Sequence, residues 1–135
     1  MNKSIESVLK LEKLVFDRIN FTRTGFKTEN ELEMKIQSNI SKLEDIEFYK
    51  STLILNGTKP GEYKFEIMLS GYFSFTTNEN ISDKTKYDLL NKNSIAILMP
   101  YLRSEVSVLT AQPETDVVVL PVFNINNMLK ESKNS

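Results

Sequence analysis

The clearest pattern in the chain is a strict alternation of apolar and polar residues in YKFEIMLSGYFSFT, residues 63–76. Aromatic and aliphatic side chains occupy the odd positions, and mostly polar ones occupy the even positions. Successive side chains of a β-strand point to opposite faces of the sheet, so this period of two predicts a long strand with one buried face. Gly71 interrupts the apolar row and is the predicted site of a bend.

Three further strands are predicted before this one. Residues 7–22 form a long strand whose alternation shifts near residues 13–16, which indicates a β-bulge. Residues 31–40 alternate cleanly and predict a half-buried strand, and residues 47–57 carry β-forming side chains on both faces. The stretch GTKPG, residues 57–61, is predicted to turn the chain into a hairpin, because glycine and proline favour reversals.

Beyond residue 82 the apolar period changes from two to that of a helix. Ser82 suits the N-cap of a first helix. Asn93 and Ser94 are the predicted start of a longer one, and its apolar stripe is made of Ile95, Leu98, Leu102, Val106 and Leu109. After it, VVVLP, residues 117–121, predicts a short buried extended run, and residues 124–132 predict a weak final helix.

Pro100 stands in the middle of the longer helix, within IAILMPYLRSEV, residues 95–106. A proline has no backbone N–H and its ring clashes with the preceding turn, so the helix is predicted to kink or begin anew near Met99 and Pro100.

Four strands followed by helices, without a βαβ alternation, predict the α+β class. We expect one domain over residues 1–135, with a four-stranded antiparallel sheet. A long kinked C-terminal helix and a short final helix are expected to pack on one face of that sheet.

Composition excludes several kinds of chemistry. The chain has no histidine and no cysteine, and its four glycines are not spaced as a phosphate-binding loop. Cysteine–histidine and serine–histidine nucleophiles, and metal sites of imidazole or thiolate ligands, are therefore excluded. Acidic residues near Glu29 and Glu44 alternate with apolar residues or lie in predicted turns, which is typical of solvated surface. We expect no enzyme, no cofactor and no metal site.

Charge and hydropathy limit the partners and the location. Lys and Arg number 17 against 18 Asp and Glu, without a block of one sign, so we expect neither nucleic-acid nor membrane-surface binding. Charged residues interrupt residues 1–16, which are therefore not expected to be a signal peptide, and no apolar run approaches the length of a membrane span. The expected location is the cytoplasm. Eight phenylalanines and five tyrosines fall mostly on strands, so an incompletely covered sheet is expected to bind a second copy or an apolar partner.

Four segments of the chain resemble the SecB family of export chaperones. SIAILMPYLRSEVSVL followed by VVVLPVFNINNML is similar to the C-terminal signature of that family. EIMLSGYFSF resembles its fourth strand and LEKLVFDRINF its first, so the resemblance extends from about Leu9 to Leu129. It implies a homotetramer built as a dimer of dimers. It also implies an ATP-independent holdase that binds unfolded preproteins in apolar grooves between sheet and helix, for protein export or targeting.

The resemblance also implies roles for particular residues. Tyr63, Phe65, Tyr101 and Val117 correspond to positions that line the client groove, although each is equally consistent with an ordinary core position. Pro100 would shape the groove wall, with Tyr101 facing the client.

The translocase motor SecA binds the SecB family through an acidic sheet surface. The acidic positions near the end of the first strand correspond here to Arg18 and Thr22, and only Glu66 on the fourth strand keeps a carboxylate. If this contact depends on complementary charge, SecA is expected to bind weakly.

Three functions therefore remain open. The leading hypothesis is a SecB-like holdase for unfolded preproteins. The second is a SecB-like chaperone dedicated to one labile client, such as an antitoxin. The third is an oligomerisation module without chaperone activity, whose groove is filled by its own side chains.

Overall fold

The computed structural model describes residues 9–43, 48–76 and 82–121. Within them the chain forms four strands and then a helical region. The strands are β1 (Leu9–Arg23), β2 (Glu33–Lys42), β3 (Tyr49–Lys59) and β4 (Tyr63–Phe75), and the helical elements are α1 (Asp83–Leu89), a π-helical turn (Leu90–Ser94) and α2 (Ile95–Thr110). The predicted α+β class is confirmed. The predicted final helix lies outside the described residues.

The strands form one antiparallel sheet in the order β1-β4-β3-β2. Leu69 on β4 pairs with Phe16 on β1 and with Leu53 on β3, and residues directly opposite each other point to the same side. We call the side that holds Leu69 the inner face, and the side that holds Met68 the outer face. The helical region packs on the inner face, where most of the fully buried apolar side chains lie.

Strand β1 contains two register shifts, one between Leu11 and Lys13 and one between Phe16 and Arg18. Each shift inserts one residue without a partner, as in a β-bulge. The two bulges bracket the predicted position and explain the shift in the sequence pattern. They allow apolar residues of both parities to point to the inner face: Leu9, Leu11, Leu14, Phe16, Ile19 and Phe21.

The β3–β4 turn lies later in the chain than predicted. The Glu62 amide donates to the Lys59 carbonyl at 3.0 Å, and Gly61 has φ +76°, as a type II turn with proline in second place requires. Gly57 is part of β3 and lies under the ring of Phe65, where a Cβ atom would be 2.3 Å from the ring. The first glycine of GTKPG therefore serves packing and not the reversal.

Gly71 allows α2 to approach β4 closely. A Cβ atom at this position would lie 2.7 Å from Cδ2 of Leu98 and 2.9 Å from the ring of Phe73. The sequence predicted a bend here; the structure gives this glycine a packing role under the helix.

Ser82 caps α1 as predicted, since its hydroxyl accepts the Thr85 amide at 3.2 Å. Ser94 does not start a new helix, because it has helical dihedral angles and makes no capping hydrogen bond. Its buried hydroxyl instead contacts the Leu90 carbonyl and lies 2.7 Å from the hydroxyl of Ser51 on β3. The predicted start at Asn93 and Ser94 therefore lies directly before the first residue of α2, but it is not a capped start, because the helical backbone continues from α1 through the π-helical turn into α2.

Pro100 lies inside α2, which extends from Ile95 to Thr110. The helix does not begin anew at this proline. Both Pro100 and Ala96, whose carbonyl loses its usual helical donor, are exposed, so water can satisfy that carbonyl. The break in regular α-helical bonding is the π-helical turn that precedes α2.

The prediction of a buried run over residues 117–121 is wrong in part. Leu120 is buried and Val118 half-buried, but Val117 and Val119 are exposed. The Ser107 hydroxyl donates to the Val118 carbonyl at 2.9 Å, and the Val118 amide donates to the Thr110 hydroxyl at 2.8 Å. These bonds hold the run along one flank of α2, where alternate side chains face solvent.

Candidate polypeptide-binding surface

Helix α2 covers the middle of the inner face but not its edges. Its fully buried residues Ile95, Leu98, Leu102 and Val106 pack over the central strands β3 and β4. Apart from Leu9, which is buried, the apolar inner-face residues of the edge strands are only half-buried or exposed. They form two margins: a β1 margin of Leu14, Phe16, Ile19 and Phe21, and a β2 margin of Met34, Ile36 and Ile40.

A second apolar stripe lies on the side of α2 that faces away from the sheet. Ile97, Tyr101 and Val108 fall within about 40° of one another around a helix that turns by about 100° per residue. Tyr101 is 45% exposed and Val108 is also exposed. The helix is therefore apolar on its buried side and also on part of its solvent side.

Tyr63 and Phe65 lie in the core, with 2% and 4% of their surfaces exposed. The Tyr63 ring stacks on Phe21 at 4.9 Å and on Phe65 at 6.2 Å between centroids. Burial raises the pKa of Tyr63 above its ordinary value. These two side chains therefore fit ordinary core positions better than positions that line a client groove.

Tyr101 and Val117, at 45% and 54% exposure, are accessible to a partner. They lie on different flanks of α2, because Val118 is bonded to Ser107, which lies about 120° from Tyr101 around the helix. Of the four predicted groove residues, the structure therefore leaves these two free and separates them.

Glu62 fixes the connection between β1 and β2 at the hairpin end of the sheet. Its buried carboxylate accepts the Thr28 amide at 2.7 Å and lies 3.1 Å from the Lys59 ammonium. The Thr28 hydrogen bond holds the pKa of Glu62 below its ordinary value against the opposing effect of burial, and Lys59 lowers it further. The Glu62 carbonyl also accepts the amides of Thr24 and Gly25 at 2.8 and 3.2 Å.

The same connection is tied to the loop after α2. Lys27 pairs with Asp116 at 2.9 Å, which raises the pKa of Lys27 and lowers that of Asp116. Arg23 donates to the Glu114 carbonyl at 3.4 Å and contacts the Thr115 hydroxyl. These contacts fix the position of residues 114–116, directly before Val117.

Phe26 is 94% exposed, although its neighbours are held in place. Gly25 packs so closely on the Gly61 carbonyl that a Cβ atom would lie 2.2 Å from the oxygen, and Lys27 is ion-paired. An aromatic side chain on a fixed loop needs little further ordering to bind a partner. The sequence analysis did not select Phe26, because it is a single aromatic residue in a polar connection. The one indication in the sequence was its position between Gly25 and Lys27.

Arg18, Thr22 and Glu66, the residues at the predicted motor contact, lie on the outer face. Arg18 donates to the Glu66 carboxylate at 2.8 Å, so the one acidic group left for SecA is paired within the chain. Thr22 is exposed and uncharged.

Two features are absent from the described part of the chain, namely a cluster of metal-ligating side chains and a membrane-spanning helix. No group of three acidic, histidine or cysteine side chains lies close enough there to hold a metal ion. Within the same residues, no helix is both long and apolar enough to span a membrane.

The chain is similar to two solved structures to different degrees. A SecB-like chaperone from Mycobacterium tuberculosis, in complex with a ChAD peptide from the HigA1 antitoxin, is similar to the chain with a TM-score of 0.72 and 9% sequence identity. The similarity covers 87% of this chain and 92% of the other. A Streptococcus agalactiae protein of unknown function is similar over 84% of this chain and 97% of its own, with 12% identity and a TM-score of 0.44. No family model and no curated protein matches the sequence.

The four-stranded antiparallel sheet with its long C-terminal helix is therefore the fold of a SecB-like chaperone. The predicted resemblance is confirmed at the level of this fold.

Proposed function

We propose that this chain is an ATP-independent chaperone that holds unfolded polypeptide against the apolar surface around α2. The observation that carries this proposal is the set of accessible apolar side chains beside the helix in a SecB-like fold. Burying the apolar segments of a client would contribute about 25 cal/mol per Å². Chemical energy is not needed, because the client is held by burial alone and leaves when it folds or is captured elsewhere.

Three exposed residues are proposed as anchors for the client. Tyr101 offers an aromatic ring on α2, and Val117 an aliphatic side chain beyond its end. Phe26 adds a ring on a fixed loop at the hairpin end of the sheet. The Lys27–Asp116 ion pair joins the loops that carry Phe26 and Val117, so these two would contact the same client segment.

We further propose that the protein acts in the cytoplasm as a homotetramer, a dimer of dimers. Several weak apolar sites on one assembly would bind a long unfolded client with much higher avidity than a single site. Light scattering after size-exclusion chromatography measures the assembly directly. A monomer that still suppresses aggregation would contradict the avidity mechanism.

The test of the holdase is aggregation of a chemically unfolded, slow-folding client, followed by light scattering without ATP. The protein should suppress aggregation at near-stoichiometric amounts. Tyr101→Asp and Phe26→Asp should weaken suppression several-fold, whereas Ala96→Asp, at an exposed position of α2 about 140° from Tyr101 around the helix, is the control. Equal effects of Tyr101→Asp and Ala96→Asp would contradict a role for the Tyr101 ring.

Pro100→Ala tests the proposed shaping of the groove wall. The substitution should stabilise α2 by up to about 3 kcal/mol, because proline is strongly unfavourable inside a helix. If Pro100 shapes the client surface, suppression should fall although stability rises. Full suppression by a more stable variant would mean that the proline is only tolerated.

A dedicated chaperone of one labile client is the second candidate. Two observations favour it: the similar mycobacterial chaperone was solved with an antitoxin peptide, and Arg18 pairs with the one carboxylate left at the predicted SecA contact. A general export chaperone should protect unrelated clients and bind SecA. A dedicated one should protect a single partner and fail with the others.

A further inference from the structure

The outer face of the sheet places two lysines on either side of one tyrosine. Lys13 on β1 and Lys50 on β3 both lie directly opposite Tyr72 on β4. Their ammonium groups are 5.9 and 5.8 Å from the centroid of the Tyr72 ring, which favours cations over its face. Phe48 stacks on the same ring at 6.1 Å. We call Lys13, Tyr72, Lys50 and Phe48 the basic row.

The charge on the outer face is positive, whereas the whole chain has a net charge of −1. Within the four strands, the outer face carries six cations and four carboxylates, a net charge of +2. The cations are Lys10, Lys13, Arg18, Lys35, Lys50 and Lys64, and the carboxylates are Glu12, Asp17, Glu33 and Glu66.

Three of these carboxylates hold an ion pair or a hydrogen bond within the sheet, whereas the two lysines of the basic row hold no ion pair there. Glu66 pairs with Arg18 at 2.8 Å, Glu12 accepts the Ser74 hydroxyl at 2.7 Å, and Asp17 accepts the Ser70 hydroxyl. Lys13 and Lys50 make no ion pair in the part of the chain that the structure describes. The positive charge of the basic row is therefore available to a partner.

We propose that the basic row is a docking surface for an acidic peptide segment of a partner protein. Strands β1 and β3 are separated by β4, so the backbones that carry the two lysines are roughly 10 Å apart. Carboxylates three residues apart in a polyproline II peptide lie on the same side, because this conformation has three residues per turn, and at about 3.1 Å per residue they span about 9 Å. One such peptide can pair with both ammonium groups and lay its intervening residues on the Tyr72 ring.

An acidic peptide fits this face better than a nucleic acid does. Glu12, Asp17 and Glu66 lie among the cations on the same face. A peptide can place its carboxylates at the lysines and leave uncharged residues opposite these acids. A nucleic acid carries a phosphate at every nucleotide and would meet them with repulsion. The proposal goes beyond chaperone activity, which is assigned to the inner face and to α2.

The test is fluorescence anisotropy with the full chain and a labelled ten-residue peptide of glycine with glutamate at every third position. The peptide should bind at low salt and lose affinity as salt rises, whereas the same peptide with glutamine should not bind. Lys13→Glu with Lys50→Glu should weaken binding at least tenfold. Lys84→Glu with Lys92→Glu changes the net charge equally at exposed positions of the helical region, and should change affinity less than twofold.

Equal losses in the two double variants would overturn the proposal, because the peptide would then sense only net charge. Tighter binding of a ten-nucleotide single strand, lost with Lys13→Glu and Lys50→Glu, would overturn it in favour of nucleic acid. Lys13→Gln with Lys50→Gln is the neutral variant, which should also lose binding while circular dichroism confirms the fold. Aggregation of a client should be suppressed equally by all these variants, so failure of the chaperone proposal is recognised separately.

Discussion

Met68 and Leu69 are neighbours on β4 with opposite environments. Leu69 points to the inner face, where it is fully buried between Phe16 and Leu53. Met68 points to the outer face, where it is half-buried between Arg18 and Ile54. The side chains of the inner face beneath α2 are packed in the core and stabilise the fold. The outer face and the uncovered margins carry the groups that remain available to partners.

Substitution to alanine at these two neighbours should show the largest contrast. Leu69→Ala should destabilise the protein by about 2–5 kcal/mol, because it leaves a cavity in the core. Met68→Ala should cost about 1 kcal/mol or less, since its surroundings are partly solvated. Urea denaturation measures both. Equal losses would mean that the outer face is as important for folding as the inner one.

Gly71→Ala tests how tightly the inner face is packed where α2 meets β4. The added methyl group would lie 2.7 Å from Leu98, and overpacking of this kind costs about 1–3 kcal/mol. In a Leu98→Ala background the same substitution should cost less, because the methyl group then has space. Additive losses in a double-mutant cycle would contradict this contact as the cause.

The buried Ser51–Ser94 pair is a polar exception on the inner face. Ser94→Ala would leave the Ser51 hydroxyl without this partner and should cost about 1–3 kcal/mol. The double variant Ser51→Ala with Ser94→Ala should cost less than Ser94→Ala alone, because no hydroxyl is then left unpaired. A larger cost in the double variant would show that the hydroxyl pair itself is stabilising.

The smallest expected effect is a loss of stability in acid that depends on Glu62. Its folded pKa is lowered, so its contribution is complete above an unfolded pKa of about 4.3 and disappears as the pH falls through the lower folded value. Glu62→Gln should lower the Tm at neutral pH and flatten its decline in acid. Glu29→Gln, at an exposed position of the same connection, is the control. An unchanged acid decline in Glu62→Gln would assign it to other carboxylates.

Local patterns predicted the strands well because each has one face that must be buried. The period of two located β4, and the shift in parity located the bulges of β1. The helical stripe was also correct, since Ile95, Leu98, Leu102 and Val106 are buried and Leu109 is half-buried against the core. The start of α2 was placed correctly, but the continuous helical backbone before it was not predicted, because Ser94 uses its hydroxyl for tertiary packing against Ser51 and no local pattern indicates this.

The candidate sites depend on contacts between distant parts of the chain. The position of Phe26 depends on contacts of its neighbours: Gly25 is hydrogen-bonded to Glu62 and packs on Gly61, and Lys27 is ion-paired with Asp116. Lys13 and Lys50 flank the Tyr72 ring only because β4 lies between β1 and β3 in the sheet. The sequence did not indicate this positive face, because the net charge of the chain is close to zero. The acidic residues that balance the lysines lie elsewhere in the chain or are hydrogen-bonded within the sheet.

The strand order has a consequence for synthesis of the protein itself. Strand β1 is made first, but its only neighbour in the described sheet is β4, which ends at Phe75, about fifty residues later. At about 5–20 residues per second, the ribosome needs several seconds to complete that partner. During this time Phe16, Ile19 and Phe21 have no strand to pair with. A newly made copy of this chain is thus, for those seconds, an unfolded polypeptide with an exposed aromatic stretch, the kind of segment that we propose a finished copy binds.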